Sequence, residues 1–293
     1  MSLYQMIKGI FRGIGQVMFQ NNALSGVLML VGIGCNSLSM CLFALLGTTI
    51  STLTAIALKY SRENIENGLY GFNGTLVGIA VPCFMAINVW SVVLMVIASV
   101  AATLVTRGFE KQKLLPTLTA PFVILTWVML LVSYACPELQ QTGENVVAGD
   151  RAFSILRAVS LNFGQIMLQG NSLLTGVFFL LAILVNSRKM ALEALLACVL
   201  ALVVVCVPLI DTQLINNGMY GYNAILTVLA VANVLNISSW RNTKVLIALG
   251  LSIVFQYAGL RLGIVTLTVP FVLSVWLIAL YNALKVDLNN AGK

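Results

Sequence analysis

Four pairs of neutral side chains recur at matching places in three segments shared by the two halves of this 293-residue chain. Gln16 and Gln165 fall in GQVMFQNN (15 to 22) and GQIMLQGN (164 to 171). Phe72 with Leu76, and Tyr222 with Leu226, fall in NGLYGFNGTLVGIAV (67 to 81) and NGMYGYNAILTVLAV (217 to 231). Thr119 and Thr268 fall in TLTAPFVILTW (117 to 127) and TLTVPFVLSVW (266 to 276). The offsets between the copies are 149, 150 and 149, which makes the period half the chain. Apolar sequence alone does not repeat Gln, Asn, Thr, Pro and Trp three times in register. These groups hydrogen-bond without charge, and the rings and branched side chains beside them present flat apolar walls. Such a set suits a small, planar, uncharged solute with several N–H donors at its edge. Each such donor stripped of water without a replacement costs about 1 to 3 kcal/mol, so a line of fixed acceptors offsets the loss.

Each candidate also has an ordinary reading. Gln16, with Val17 and Phe19, and Gln165, with Ile166 and Leu168, belong either to a pore helix that crosses half a membrane or to an amphipathic helix lying at its surface. Their inverted duplication favours the pore helix. Phe72 and Leu76, like Tyr222 and Leu226, stand four residues apart on one helix face and form either slot walls or general core packing. Thr119 and Thr268 precede Pro121 and Pro270, where a missing N–H frees a carbonyl and kinks a helix. Their hydroxyls either face a passage or bond back to their own backbone. Asn73 and Asn223 read as links between helices rather than as ligands.

The elements that hold these residues are apolar. The chain is 60% hydrophobic and only 9% charged, far from the balance of a soluble domain. Long runs without charge point to transmembrane helices, because alternating ten-residue strands are missing. Five spans are expected in each half: 23 to 36, 38 to 58, 68 to 86, 88 to 106 and 114 to 134, then 172 to 187, 190 to 209, 218 to 235, 244 to 259 and 263 to 284. Residues 1 to 22 lack the core of a cleavable signal peptide. The expected division is a first repeat at 1 to 135 with a pore helix near 9 to 20, a linker at 136 to 157, and a second repeat at 158 to 293 with a pore helix near 158 to 169.

An odd number of spans per half forces the second half in from the opposite side, which makes the repeats inverted. With the N-terminus cytoplasmic, thirteen of the sixteen basic residues fall on the cytoplasmic face, among them Arg241 and Lys293, and only Arg151, Arg157 and Arg261 fall outside. The C-terminus is then cytoplasmic too. Basic residues dispersed between apolar runs set orientation and do not suit nucleic acid. Every Asp and Glu (63, 66, 110, 138, 144, 150, 193, 211, 287) lies in or beside an expected connection, which argues against proton coupling. The chain has no histidine, and its six cysteines show no CxxC spacing, so they read as small core residues rather than metal ligands. Missing His also removes most general-base mechanisms, the pore histidines of an ammonium channel and an enzymatic reading. Aquaporin NPA signatures are lacking.

Through NGLYGFNGTLVG at 67 to 78, its echo NGMYGYNAIL at 217 to 226 and the paired TLTxPF segments, nearly the whole chain resembles the urea transporter family. The resemblance implies an all-α polytopic protein of the cell inner membrane with two inverted five-helix repeats, each with one half-spanning pore helix. It implies a homotrimer in lipid, with one pore per protomer, no cofactor and no metal. Passive, channel-type diffusion of urea would follow, with planar slots and acceptor ladders on either side of central threonines. Gln16, Val17, Phe19, Phe72, Leu76 and Thr119 would serve one half, and Gln165, Ile166, Leu168, Tyr222, Leu226 and Thr268 the other. A less selective pore for short amides, water or ammonia is the alternative. Two positions depart from the family. Gln165 stands where members can carry glutamate, and Tyr222 replaces a second phenylalanine, adding a hydroxyl that needs a partner.

Overall fold

The computed structural model describes residues 1–141, 152–208, 210–237, 240 and 242–291, with side chains described as far as 285. The middle of the linker, 142 to 151, lies outside the described residues, as do Glu144, Asp150, Arg151, Arg241, Lys293 and the side chain of Asp287. Among the described residues every regular element is helical.

The first half comprises α1 (Leu3–Gln16), α2 (Ala23–Asn36), α3 (Leu38–Ala57), the short α4 (Arg62–Glu66), α5 (Gly71–Phe84), α6 (Val89–Gln112) and α7 (Ala120–Ala135). The second repeats the order as α8 (Ile155–Gly164), α9 (Leu173–Asn186), α10 (Arg188–Ala201), α11 (Thr212–Asn216), α12 (Gly221–Asn233), α13 (Thr243–Arg261) and α14 (Val269–Ala291). Capping residues recur with the repeat. Ser37 accepts from Met40 N at the start of α3 and Ser187 from Met190 N at the start of α10, each meeting one backbone donor that the first helical turn leaves unpaired.

Among the described residues four apolar helices are long enough to cross a membrane: Leu38–Ala57, Val89–Gln112, Arg188–Cys206 (α10 with its 3-10 extension) and Thr243–Arg261. Six shorter apolar helices accompany them. At 1.5 Å per residue, a 14-residue helix such as α2 covers only about 21 Å of a hydrocarbon layer about 30 Å thick. Before α7 and α14 part of the missing length is made up by non-helical backbone that is buried in protein, at 118–119 and 266–268.

Expected span boundaries shift in two places for this reason. The spans expected at 114 to 134 and 263 to 284 begin as helices only at Ala120 and Val269. Pro121 and Pro270 therefore sit in the first helical turn, where the lacking N–H has no intrahelical acceptor to miss, and they start helices instead of kinking them. The helices expected near 9 to 20 and near 158 to 169 run earlier, at 3–16 and 155–164, with a 3-10 turn at Gln165–Met167. What ends them is the left-handed backbone of Phe19 (φ 61°) and Leu168 (φ 60°), which lets Gln20 N reach Gly15 O and Gln169 N reach Gly164 O, both at 3.0 Å. The chain then turns back into α2 and α9 with Met18, Gln20, Met167 and Gln169 fully buried.

The halves meet through bonds that run both ways. Ser25 Oγ donates to Ala182 O and Thr175 Oγ1 to Gly32 O, each at 2.7 Å, where α2 crosses α9. Asn186 Nδ2 donates to Gln20 Oε1 and Asn36 Nδ2 to Gln169 Oε1, at 2.9 and 2.8 Å. Trp127 Nε1 donates to Val265 O and Trp276 Nε1 to Pro116 O, at 2.9 and 2.8 Å. A two-fold interface has this property, with each residue of a pair returning its partner's contact.

Small residues allow helices to touch backbone to backbone. A Cβ built on Gly47 of α3 would lie 2.1 Å from Gly74 O of α5. The outer surface is apolar, with Leu24, Trp90, Ile97, Leu131, Leu181 and Val254 all exposed. Of the six cysteines only Cys198 is buried, while Cys35, Cys136 and Cys206 are exposed, so most are not the core residues the sequence suggested. Glu193 lies within α10, 5% exposed, with Lys189 Nζ at 3.9 Å, deeper than a position beside a connection suggests.

Gly47→Ala is expected to abolish recovery of a folded, monodisperse protein in detergent, because backbone cannot retreat from the added methyl. Gly108→Ala, which meets no atom within 4 Å, is expected to behave as the parent in the same size-exclusion and thermal-unfolding measurements.

Candidate functional site

Two recesses of similar size open into the protein, one built mainly from each half. The first, of 480 Å³, includes Gln16, Phe19, Phe72, Thr106, Glu110 and Leu118 in its walls. The second, of 470 Å³, includes Gln165, Leu168, Tyr222, Thr266 and Leu267. Gln16, Phe19 and Phe72 are thus brought together, as are their repeat partners Gln165, Leu168 and Tyr222. Thr119 and Thr268 join the halves directly, with their hydroxyl oxygens 2.6 Å apart and both residues 3% exposed. Val17, Leu76, Ile166 and Leu226 are buried in the hydrophobic core, and the walls of neither recess include them.

Each glutamine is oriented by the loop before the following repeat motif. Gln16 Nε2 donates to Asn67 O at 2.9 Å, and Gln165 Nε2 to Asn217 O at 3.0 Å. With the amino group held there, the amide oxygen remains as an acceptor at the recess wall. Phe19 and Leu168 follow three residues later in left-handed conformations that cost a bulky residue roughly 1 to 2 kcal/mol. Glycine would remove that cost. A large apolar side chain in this conformation at both places indicates that the wall it supplies outweighs the strain.

The central threonines depend on a second repeated device. Leu118 and Leu267 also take positive φ, 45° and 47°, immediately before Thr119 and Thr268. Asn73 Nδ2 donates to Leu118 O at 3.3 Å while its Oδ1 accepts from Phe122 N at 3.1 Å. Asn223 makes the same pair of bonds, to Leu267 O at 3.3 Å and from Phe271 N at 3.2 Å. One buried amide in each half therefore clamps the left-handed turn and satisfies an orphan donor of the helix that follows. The asparagines find backbone partners, as the sequence suggested. The threonine hydroxyls, by contrast, bond each other across the interface and not the chain behind them, since each threonine caps its helix instead of lying inside it.

Several wall residues escaped the sequence reading. Glu110, in the last turns of α6, faces the first recess and accepts from Tyr70 Oη at 2.7 Å, Arg107 Nη1 at 2.9 Å and Asn64 Nδ2 at 3.1 Å. Nothing in its surroundings in the sequence marks it off from the basic connection it adjoins. The Leu118 and Leu267 backbones were equally hidden, although the repetition of TLTxPF was the signal that could have pointed to them. Position 256 differs in kind from its counterpart: buried Gln256 accepts from Asn223 Nδ2 at 3.0 Å, whereas Thr106 stands 150 residues earlier.

An apolar body whose described elements are all helical, with two recesses and a buried hydroxyl pair that joins the halves, defines a membrane transporter. A family model described as Urea transporter matches residues 7–283, and the chain belongs to that family, one of transporters and not of enzymes. Among curated relatives it is similar to Urea transporter 1 of Ovis aries, with 27% identity over 303 residues covering 94% of this chain and 77% of the relative. Urea transporter 1 of Rattus norvegicus is 29% identical over 278 residues, covering 87% and 70%.

Gln165→Glu tests the orienting bond. An ionised carboxylate facing Asn217 O has no hydrogen to donate, so the bond that orients the side chain is lost. Solute flux through the variant is expected to fall about two- to tenfold, the range of one hydrogen bond. Flux measured beside the parent protein reads this out, and an unchanged rate removes the orienting role.

Proposed function

We propose that the chain conducts urea passively across the cell inner membrane, through a passage that runs from one recess to the other between Thr119 and Thr268. The hydroxyl pair carries this reading, because the corresponding threonines of the two repeats there bond each other directly through uncharged oxygens. A urea molecule arriving from either recess replaces one hydroxyl-to-hydroxyl bond by a bond to each threonine, so the solute is never left unpartnered at the narrowest point. Gln16, Phe19 and Phe72 form one planar slot, and Gln165, Leu168 and Tyr222 the other. Ring faces exclude hydrated ions, and amide and carbonyl oxygens accept the N–H edge. Val17, Leu76, Ile166 and Leu226 are assigned to the packing that stiffens the slots from behind.

The reciprocal bonds between α2 and α9 support inverted repeats related by a two-fold axis in the membrane plane, with α1 and α8 as half-spanning pore helices and both termini cytoplasmic. Apolar outward faces support contact with lipid and leave room for a homotrimer with one passage per protomer. Transport by relatives named Urea transporter 1 supports the choice of solute.

Purified protein in liposomes is expected to release urea far faster than empty vesicles, without a proton or sodium gradient, in a stopped-flow light-scattering assay. Efflux equal to that of empty vesicles, or efflux that requires a gradient, would overturn the proposal. Thr119→Val and Thr268→Val keep shape but remove an acceptor, so each is expected to slow urea about two- to tenfold, while the hydroxyl left without its partner lowers stability by about 1 to 3 kcal/mol, leaving the protein folded. Unaltered flux in both variants removes the threonines from the passage.

A further inference from the structure

The two slots share a backbone plan but not the same free acceptors. In the first half Leu118 O takes one bond, from Asn73 Nδ2, and the ring beside it is Phe72, which has nothing to donate. A carbonyl oxygen has two lone pairs, so one remains open toward the recess that Leu118 helps to wall. In the second half Leu267 O takes two bonds, from Tyr222 Oη at 2.5 Å and from Asn223 Nδ2 at 3.3 Å. Both lone pairs of that oxygen are committed within the protein. Tyr222 Oη also lies 3.4 Å from Gln256 Oε1 and from Thr266 Oγ1, so the hydroxyl is held among polar neighbours at the wall. Residue 256 reinforces the difference. Gln256 Oε1 takes the second Asn223 Nδ2 hydrogen, while the hydroxyl of the corresponding Thr106 is buried without a hydrogen-bond partner and makes no such bond to Asn73.

We propose that Tyr222 is a specificity-determining residue that closes the Leu267 carbonyl to solute, making the second slot the weaker and less urea-selective of the two. This rests on the urea-channel reading above and refines it. A solute in the first slot finds the Leu118 oxygen available. One in the second slot meets a phenol that has already taken the equivalent oxygen. The desolvation of a urea N–H is therefore compensated less completely on the Tyr222 side, and the limiting barrier lies there. Solutes with fewer N–H groups lose less by the change, so the second slot narrows the advantage of urea over a simple amide.

Two opposite substitutions test this in proteoliposomes, with urea and formamide fluxes measured on the same vesicles. Tyr222→Phe removes the hydroxyl and reopens Leu267 O, so urea flux is expected to rise about two- to tenfold, the range of one hydrogen bond, and the urea-to-formamide ratio to rise with it. Phe72→Tyr supplies the same hydroxyl beside Leu118 O and is expected to lower both the urea flux and the ratio. A merely structural role for the phenol would slow both solutes in Tyr222→Phe and leave their ratio unchanged, which overturns the proposal. If Tyr222→Phe does not fold, an unchanged ratio in Phe72→Tyr overturns it equally. Should the parent protein itself conduct no urea, the channel reading fails first, and that control is read before either variant.

Discussion

Everything in the interior is arranged around a single contact, the hydroxyl pair of Thr119 and Thr268. Two threonines from copies 149 residues apart come within 2.6 Å in a buried place. They can do so only because each lies at the end of a helix and not within one. Inside a helix, a threonine hydroxyl has a carbonyl of its own chain within reach, as Thr49, Thr54 and Thr75 show by bonding four residues back. Breaking the helix before Thr119 and Thr268 turns the hydroxyls outward from their own backbone, and the rest of the fold must then stabilise two broken helices in an apolar medium.

That requirement explains the buried polar residues that look out of place in such a chain. Backbone outside a helix has unpaired donors and acceptors, which water cannot satisfy at membrane depth. Asn73 and Asn223 each meet two of them at once, and Trp127 and Trp276 each reach across to a carbonyl of the opposite break. Gln20 and Gln169 donate to Met18 O and Met167 O in the turns after α1 and α8, while their amide oxygens accept from Asn186 and Asn36 of the opposite half. Each polar side chain is thus the complement of a helical bond given up nearby. Because the bonds come in two-fold pairs, the recesses on either side of the threonines are similar in volume but are free to differ in detail, as at Tyr222.

Much of this was legible in the residues, and the reasons for the remainder are local. Helix positions followed from charge-free runs, and α2 and α3 begin where the sequence placed them, because Asn22 and Ser37 are marked N-caps. The grouping of Gln16 with Phe19 and Phe72, and of Gln165 with Leu168 and Tyr222, was what the family resemblance implied, and each trio lines one recess. The starts of α7 and α14 did not, since an apolar run leading into TLTxP reads as helix and leucine in a left-handed turn leaves no compositional trace. Nor could spacing tell that Val17 and Leu76 pack inward while Phe19 and Phe72 face a cavity. Gln256 was invisible for a related reason: its value lies in what Asn223 needs, and that partner is 33 residues away.

The account stands on a solute being held on both sides of the threonine pair by uncharged oxygens and flat walls. Diffraction from the protein soaked with selenourea, whose selenium scatters anomalously, tests that most directly. One peak in the recess of Phe19 and Phe72 and another in that of Leu168 and Tyr222, aligned through the hydroxyl pair, is the predicted result. Ordered selenourea elsewhere in the protein, with both recesses unoccupied at saturating concentration, would contradict it.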